Sequence, residues 1–323
     1  MTAVSPRVVA ILAALRKQRG DTILPLLIAV IALIAGIIEP RFLTVDNWVN
    51  LARQVAPLLV ISVGQTLALI SGGLDLSLAA VMSLSGVVGV LVMKQSGIVA
   101  GILAMLAVGS AAGLVSGLII AYLRTTPLVV TLGMLSVTQA CALILSNGTP
   151  IYDVPENYVQ MIGFDSFGAV PWSVWIAAST AFGAGFLLRH TIFGRYIYAI
   201  GSNSTAAAKS GVDIRRFKML VYAASGLCAA IGAVILTAWV ASAQPIAAPN
   251  ITLESLAAVV LGGVALTGGR GSILQATYGV MLLSMLSNVM NMIGISAYYQ
   301  TMAIGIVIIL AVILDRLRRP AEE

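Results

Sequence analysis

The chain has few charged residues, since Asp, Glu, Lys and Arg make up only 9% of its 323 residues. Soluble domains carry about a quarter of such residues, so the composition excludes an ordinary water-soluble globular protein. The hydrophobic content is 59% and the mean hydropathy is +1.03. Because each helical span needs about 20 apolar residues, these values predict an all-α integral membrane protein.

Residue types that support catalysis or metal binding are also scarce. His190 is the only histidine, which argues against a histidine metal site and against the Ser–His pair of an intramembrane protease. Cys141 and Cys228 both lie in apolar runs, so we interpret them as two buried thiols rather than a disulfide. No G-x-x-x-x-G-K-[ST] segment occurs, so the chain has no P-loop for ATP. We therefore expect no cofactor, no metal and no enzymatic activity in this chain.

Apolar runs predict about ten transmembrane helices. They lie near residues 22–38, 54–71, 77–93, 98–122, 128–145, 173–188, 219–240, 253–267, 273–291 and 298–314. The sequence therefore predicts an N-terminal segment 1–20, a single transmembrane domain 21–315 and a tail 316–323. The basic N-terminal segment is not followed by a small-residue cleavage site, so we expect the first span to be retained.

The distribution of basic residues predicts that both termini are cytoplasmic, because cytoplasmic loops carry an excess of Lys and Arg. With this topology, 15 of the 18 basic residues are cytoplasmic: Arg7, Arg16, Lys17, Arg19, Arg124, Arg189, Arg195, Lys209, Arg215, Arg216, Lys218, Arg270, Arg316, Arg318 and Arg319. The formal charge of +6 therefore does not imply nucleic acid as a partner. Residues 189–218 become a cytoplasmic loop, and residues 147–172 become the longest outer loop.

The cytoplasmic loop contains the segment G-R-Y-I-Y-A-I-G-S-N-S-T-A-A-A-K-S-G at Gly194–Gly211. A short polar side chain at Asn203 or Ser204 can cap a helix, and Gly211 can end it in a left-handed conformation. A helix of one to two turns is unstable alone in water and needs a partner surface. An incidental turn in a membrane-surface loop is the alternative. The candidate partner-binding residues are Asn203, Ser204, Thr205, Ala206, Ala207, Ala208, Lys209, Ser210 and Gly211.

A second segment, S-G-G-L-D-L-S, contains Gly72, Gly73, Asp75 and Ser77. The two glycines predict a break in the backbone between helices, which the membrane tolerates only where protein or water covers it. A carboxylate within the membrane costs about 2.5–3.5 kcal/mol on insertion scales, so Asp75 needs a polar partner. Either it caps the next helix by accepting N–H groups near Ser77 and Leu78, or it lines a transport pathway.

A third segment begins L-E-S-L-A-A-V-V-L-G-G and includes Glu254, Gly262 and Gly263, with a glycine-rich turn at residues 268–271. Gly262 and Gly263 are expected to let two helices approach closely. Glu254 is a candidate for the translocation path or for a structural role. If Asp75 or Glu254 carried protons, the chain would be a proton-coupled secondary transporter.

A stripe of small residues repeats every four positions at Gly109, Gly113 and Gly117. Such a stripe brings helices into close contact. Packing within one chain and contact with a second copy are both compatible with it, and we expect packing within the chain.

The three segments together resemble inner-membrane permease subunits of ribose-type sugar ABC importers. Gly194–Gly211 is similar to the family signature G-R-x-x-Y-A-I-G-x-N-x-x-A-A-x-x-S-G, and S-G-G-L-D-L-S is similar to S-G-G-I-D-L-S. The third segment resembles E-L-D-A-I-A-A-V-V-[IL]-G-G. Ser204 and Thr205 stand where the family has Pro and Glu, and Thr252 replaces a Glu. The agreement extends from about residue 43 to residue 320.

The resemblance implies an ABC importer permease fold in the bacterial inner membrane, surrounded by lipid. It implies a second permease subunit, identical or paralogous, and a cytoplasmic ABC ATPase that binds ATP and Mg²⁺ and receives the short helix. On this basis an Ala207→Asp variant is expected to block ATPase association. A periplasmic sugar-binding protein would deliver cargo at loop 147–172. The implied cargo is a monosaccharide, with a pentose as the family default, moved by alternating access; a non-sugar cargo is the alternative within the ABC class.

Overall fold

The computed structural model describes residues 24–317 and places most of them in helices. The predicted segment 1–20 and residues 318–323 of the predicted tail lie outside the described residues. We label the main helices in chain order: α1 Leu24–Ile38, α2 Val45–Ile70, α3 Leu78–Ser96, α4 Ile98–Tyr122, α5 Pro127–Leu145, α6 Trp172–His190, α7 Ile192–Ser202, α8 Ser204–Lys209, α9 Ile214–Val240, α10 Ile251–Gly262, α11 Ile273–Met292 and α12 Ala297–Leu317.

The helices confirm an all-α membrane protein with several spans. In the part of the chain that the structure describes, α2, α3, α4, α5, α9 and α11 are long and apolar enough to cross a membrane. Helices α1 and α10 are apolar but shorter. A helix lies at each predicted span, while the number of crossings, about ten, and the sides of the termini stay predictions.

Helix α9 lies at the centre of the packing and contacts α2, α3 and α4. The glycine stripe of α4 faces α9, because a Cβ atom built on Gly109 would lie 2.5 Å from the carbonyl oxygen of Gly226. A Cβ atom on Gly117 would lie 2.7 Å from the carbonyl oxygen of Met219. Backbone-to-backbone contact of this kind requires glycine, so the stripe packs two helices of one chain together, as expected.

Two stretches of irregular backbone interrupt the helical bundle. Residues 71–77 join α2 to α3, and residues 241–250 join α9 to α10. Helix α10 has 12 residues and is therefore about 18 Å long, shorter than the roughly 30 Å hydrocarbon core. The predicted span 253–267 is wrong in extent, because Gly263 adopts φ 103 and ends the helix in a left-handed conformation.

The predicted outer loop 147–172 is folded against the bundle. It contains a helical turn at Glu156–Tyr158, a π-helix at Val159–Phe164 and a hairpin that pairs β1 Ser166–Phe167 with β2 Val170–Pro171. Tyr158 is fully buried, and its hydroxyl donates to the carbonyl oxygen of Val234 at 2.6 Å. One buried aromatic side chain thus fixes this loop on α9.

The two cysteines are both free thiols. Cys228 is buried as predicted, whereas Cys141 is exposed. The prediction for Cys141 was wrong because an apolar run does not reveal which face of α5 packs inward.

Candidate functional site

The segment predicted to bind a partner forms a short helix whose ends match the prediction. The Asn203 side chain caps α8 by accepting the backbone N–H of Ala206 at 2.9 Å. At the other end Gly211 adopts φ 84. The N–H of Gly211 donates to the carbonyl of Ala208, and that of Val212 donates to Ala207, which is the hydrogen-bond pattern of a Schellman motif.

The faces of α8 differ from the expectation at one residue. Ala207 is only 5% exposed and packs against the chain itself. The remaining members of the predicted partner-binding set are exposed: Asn203, Ser204, Thr205, Ala206, Ala208, Lys209, Ser210 and Gly211. Ala207→Asp would therefore disturb the folded chain, and the surface open to a partner is formed by Ser204, Thr205, Ala206 and Ala208.

The residues before α8 form a second helix, α7, that the sequence interpretation missed. Thr191 caps α7 by accepting the N–H of Gly194 at 3.5 Å, and Ile197 and Ile200 are buried. The ring of Tyr196 meets the ring of Phe217 edge-on at 4.9 Å, which fixes α7 to the start of α9. The helical spacing of the apolar residues in this segment was the signal that could have revealed the helix.

The last turn of α7 packs against both glycine-rich segments. A Cβ atom on Gly201 would lie 2.6 Å from the amide nitrogen of Gly269 and closer still to the carbonyl oxygen of Ile70. The N–H of Gly269 donates to that same carbonyl of Ile70 at 2.9 Å. A Cβ atom on Gly268 would lie 2.7 Å from the Cα atom of Gly72. We call Ile70, Gly72, Gly201, Gly268 and Gly269 the glycine hub.

A hydroxyl also holds the hub in place. Tyr198 donates to the carbonyl oxygen of Gly271 at 2.7 Å. Helix α7 is therefore attached to the end of α2 and to the loop after α10. Only Asn203 separates α7 from α8. The predicted partner-binding residues 203–211 are therefore continuous with α7, which packs against the two glycine-rich segments.

The break after α2 runs into the interior of the bundle rather than along its surface. The hydroxyl of Tyr222 donates to the carbonyl oxygen of Leu74 at 3.3 Å, and Gly73 lies directly against that hydroxyl. Tyr222 lies about 12 Å from the start of α9, because an α-helix rises about 1.5 Å per residue. Polar protein groups therefore cover the irregular backbone, as the membrane requires.

Asp75 is buried in this break and links it to α9. Its Oδ1 atom accepts the N–H of Ser77 at 3.0 Å and the hydroxyl of Ser77 at 2.6 Å. Its Oδ2 atom accepts the hydroxyl of Ser225 at 2.7 Å. Asp75 thus accepts the predicted N–H of Ser77 but not that of Leu78, so it holds the turn before α3 and links it to α9 rather than capping the first turn of the helix.

One N–H group in the first turn of α3 is instead capped by another helix. The hydroxyl of Thr252, in the first turn of α10, accepts the N–H of Ala79 at 2.9 Å. One turn further, the hydroxyl of Ser83 accepts the N–H of Ala247 at 3.0 Å. The start of α3 therefore meets the start of α10 inside the bundle, and the threonine that departs from the resembled pattern makes this contact.

Gly262 and Gly263, at the end of α10, have different structural roles. Gly262 packs directly on the carbonyl oxygen of Gln275 in α11, which confirms the expected close approach. Gly263 does not pack and has open space beside it. Its positive φ turns the chain into the loop that contains Gly268 and Gly269.

Glu254 is separate from Asp75 and lies on a cavity. We define the distal end of the bundle as the end opposite α8, where α9 and α11 finish. A cavity of about 360 Å³ opens there and is lined by residues of α2, α9, α10, α11 and α12, including Glu254 and Trp239. Ser284, about 16 Å along α11, also lines it, so the cavity reaches the middle of the bundle.

Among the described residues, no group of three or more His, Cys, Asp or Glu side chains could hold a metal ion. The functional groups that the structure brings together are the hub with α7 and α8, and separately the cavity with Glu254. These features suit a membrane protein that moves a small molecule and is attached to a partner at the α8 end.

Comparison with known proteins decides the family. The family model for the branched-chain amino acid transport system permease component matches residues 47–312. This chain belongs to that permease family. The permease is accordingly a transport subunit rather than an enzyme, and it is a multi-pass protein of the bacterial inner membrane.

Several relatives are similar over nearly the whole permease. The ribose import permease protein RbsC of Escherichia coli K12 is 35% identical over 295 residues, which cover 90% of this chain and 92% of the relative. RbsC of Bacillus subtilis 168 is 39% identical over 291 residues, or 89% and 90% of the two chains. The L-arabinose transport system permease protein AraH of E. coli K12 is 32% identical over 296 residues, or 91% and 90%.

Proposed function

We propose that the permease imports a monosaccharide, with a pentose as the default, by alternating access driven by a separate ATPase. The relatives named for ribose and L-arabinose support the cargo class. The family description names branched-chain amino acids, so an amino-acid cargo is the second candidate. Uptake assays with a panel of pentoses, hexoses and branched-chain amino acids distinguish the two.

The glycine hub is the observation that carries the proposed mechanism. A cytoplasmic ABC ATPase binds the exposed face of α8, and movement of α8 is passed to the hub through Gly201. At the hub, backbones lie in direct contact, and this contact would close the α8 end of the bundle. The cavity is open at the distal end, so displacement of the hub would open the opposite side. ATP then biases two states of one assembly.

The remaining partners follow from the two ends of the bundle. The distal end carries the loop 147–172, on which Tyr152 is 72% exposed and Phe167 is 65% exposed. These rings offer a docking surface for a periplasmic sugar-binding protein. A second permease subunit completes the transport pathway, and lipid covers the remaining apolar surface. The excess of basic residues at the α8 end supports a cytoplasmic position for that end.

The coupling role is tested by adding charge to the exposed face of α8. Ala206→Asp and Ala208→Asp leave the caps of α8 in place and put a carboxylate on the docking surface. Each variant is expected to reduce co-purification of the ATPase about tenfold or more, as for a residue central to an interface. Gln95→Glu adds the same charge at an exposed distal position and is the control. ATPase capture equal to that of Gln95→Glu would contradict the docking role of α8.

A further inference from the structure

The distal cavity contains hydrogen-bonding groups that have no partner in the described part of the chain. Glu254, Ser284 and Ser287 line it, and none of their side chains makes a hydrogen bond or an ion pair there. By contrast, Asp75 has partners on both carboxylate oxygens. The three residues are half-buried and line the cavity, so a ligand or water in the cavity can complete their hydrogen bonds.

The two serines are informative because helical serines usually bond to their own helix. In α3, for example, the hydroxyl of Ser83 donates to the carbonyl oxygen of Ala79 at 3.0 Å. Ser284 and Ser287 are three residues apart, so they share one face of α11. Both line the cavity, and neither hydroxyl makes a hydrogen bond within the described part of the chain.

Two amide side chains add further hydrogen-bonding groups to the cavity lining. The amide of Gln300 donates to the side-chain oxygen of Asn291 at 2.8 Å, which leaves the amide nitrogen of Asn291 and the amide oxygen of Gln300 available. Trp239 also lines the cavity, and its indole ring would supply an aromatic face. An aromatic face beside hydroxyl, amide and carboxylate groups suits a ligand that has both C–H and O–H surfaces.

We propose that Glu254, together with Ser287 and Trp239, forms a binding site for a neutral polyhydroxylated molecule inside the permease. The carboxylate accepts two hydroxyl hydrogens, the serines and amides bond to further hydroxyls, and the indole ring covers a C–H face. The proposal rests on the proposed function and assigns the cargo a site within the membrane part of the importer. Among the described residues that line the cavity, Glu254 is the only charged one, so a cationic cargo is the competing ligand class.

The test uses the complete importer in vesicles, with the ATPase and a sugar-loaded binding protein, and a labelled pentose and hexose as probes. Glu254→Gln keeps the side-chain size but removes the charge. Because hydrogen bonds to charged groups are stronger than neutral ones, uptake is expected to fall about tenfold to a hundredfold. Ser287→Ala is a milder second variant, with an expected loss of about threefold to tenfold. Stimulation of ATP hydrolysis by the loaded binding protein is expected to remain in both variants.

The matched control is Glu39→Gln. Glu39 lies outside the cavity and pairs with Arg41 at 3.0 Å. Its uptake is expected to equal that of the wild type. Substrate analogues that lack one hydroxyl give a second measurement. At least one of them should be taken up more slowly than the full sugar by the wild type. The Glu254→Gln variant should lower the uptake of this analogue little further, because both changes affect the same hydrogen bond.

The outcomes separate this site from the proposed function. If the wild-type importer takes up no sugar, the proposed function fails. If it takes up sugar and Glu254→Gln equals Glu39→Gln, the proposed function stands and the site is wrong. If only a cationic cargo is transported and Glu254→Gln abolishes its uptake, the carboxylate binds an amine and the polyol proposal is overturned.

Discussion

Replacement of Gly201 by alanine tests the glycine hub directly. The added Cβ atom would lie 2.6 Å from the amide nitrogen of Gly269, where an ordinary contact needs more than 3 Å. The carbonyl oxygen of Ile70 lies closer still, and both neighbours are backbone atoms. Either α7 or the loop after α10 must therefore shift. Overpacking of this kind costs about 1–3 kcal/mol, and alanine returns up to about 1 kcal/mol through its helix propensity. With the full helix gain, a net cost of up to about 2 kcal/mol weakens the closed hub by up to about thirtyfold relative to the open state.

The assay compares sugar uptake per ATP hydrolysed in the complete importer. Gly201→Ala is expected to lower this ratio and to raise ATP hydrolysis without the binding protein, because the α8 end no longer closes firmly. The control is Gly183→Ala in α6, where an added Cβ atom meets nothing within 4 Å. Equal uptake per ATP and equal thermal stability of the two variants would show that the contacts of Gly201 do not control closure of the α8 end.

Two further predictions concern other contacts. The Asp75→Asn variant should assemble normally and keep at least about a third of wild-type uptake, because its oxygen still accepts from Ser77 and its amide can donate to Ser225. Complete loss of uptake with normal assembly would indicate a role in the transport pathway. Lys94 donates a hydrogen bond to Asp153 and lowers the pKa of that carboxyl below its usual range. The contact therefore stabilises the outer loop above a pH of about 4, and this stability is lost as the pH falls further. The thermal stabilities of wild type and Lys94→Gln should converge at low pH, and a difference that grows there would contradict the pairing.

Local chemistry made the short helix α8 predictable. The cap at Asn203 and the left-handed stop at Gly211 depend only on neighbouring residues, and both lie where the sequence indicates. Apolar runs likewise located the helices. The inward face of Ala207 was not predictable, because a run of alanines has no polar side to orient it.

Long-range contacts account for what the sequence did not predict. The hub joins Ile70, Gly201 and Gly269, which are far apart in the chain, and a glycine pair alone does not show what packs on it. The meeting of α3 with α10 through Thr252 depends on how far two irregular segments enter the bundle. The cavity around Glu254 needs five helices to be placed before its lining can be identified.

We propose that this permease moves cargo only as part of an ATP-driven importer. The most direct measurement is uptake of a labelled pentose into vesicles that contain the chain, with the ATPase, the binding protein and ATP each supplied or withheld. Uptake is expected only when all three are present. Uptake by the chain alone, driven by a proton gradient, would contradict this proposal and would make Asp75 and Glu254 candidates for proton transfer.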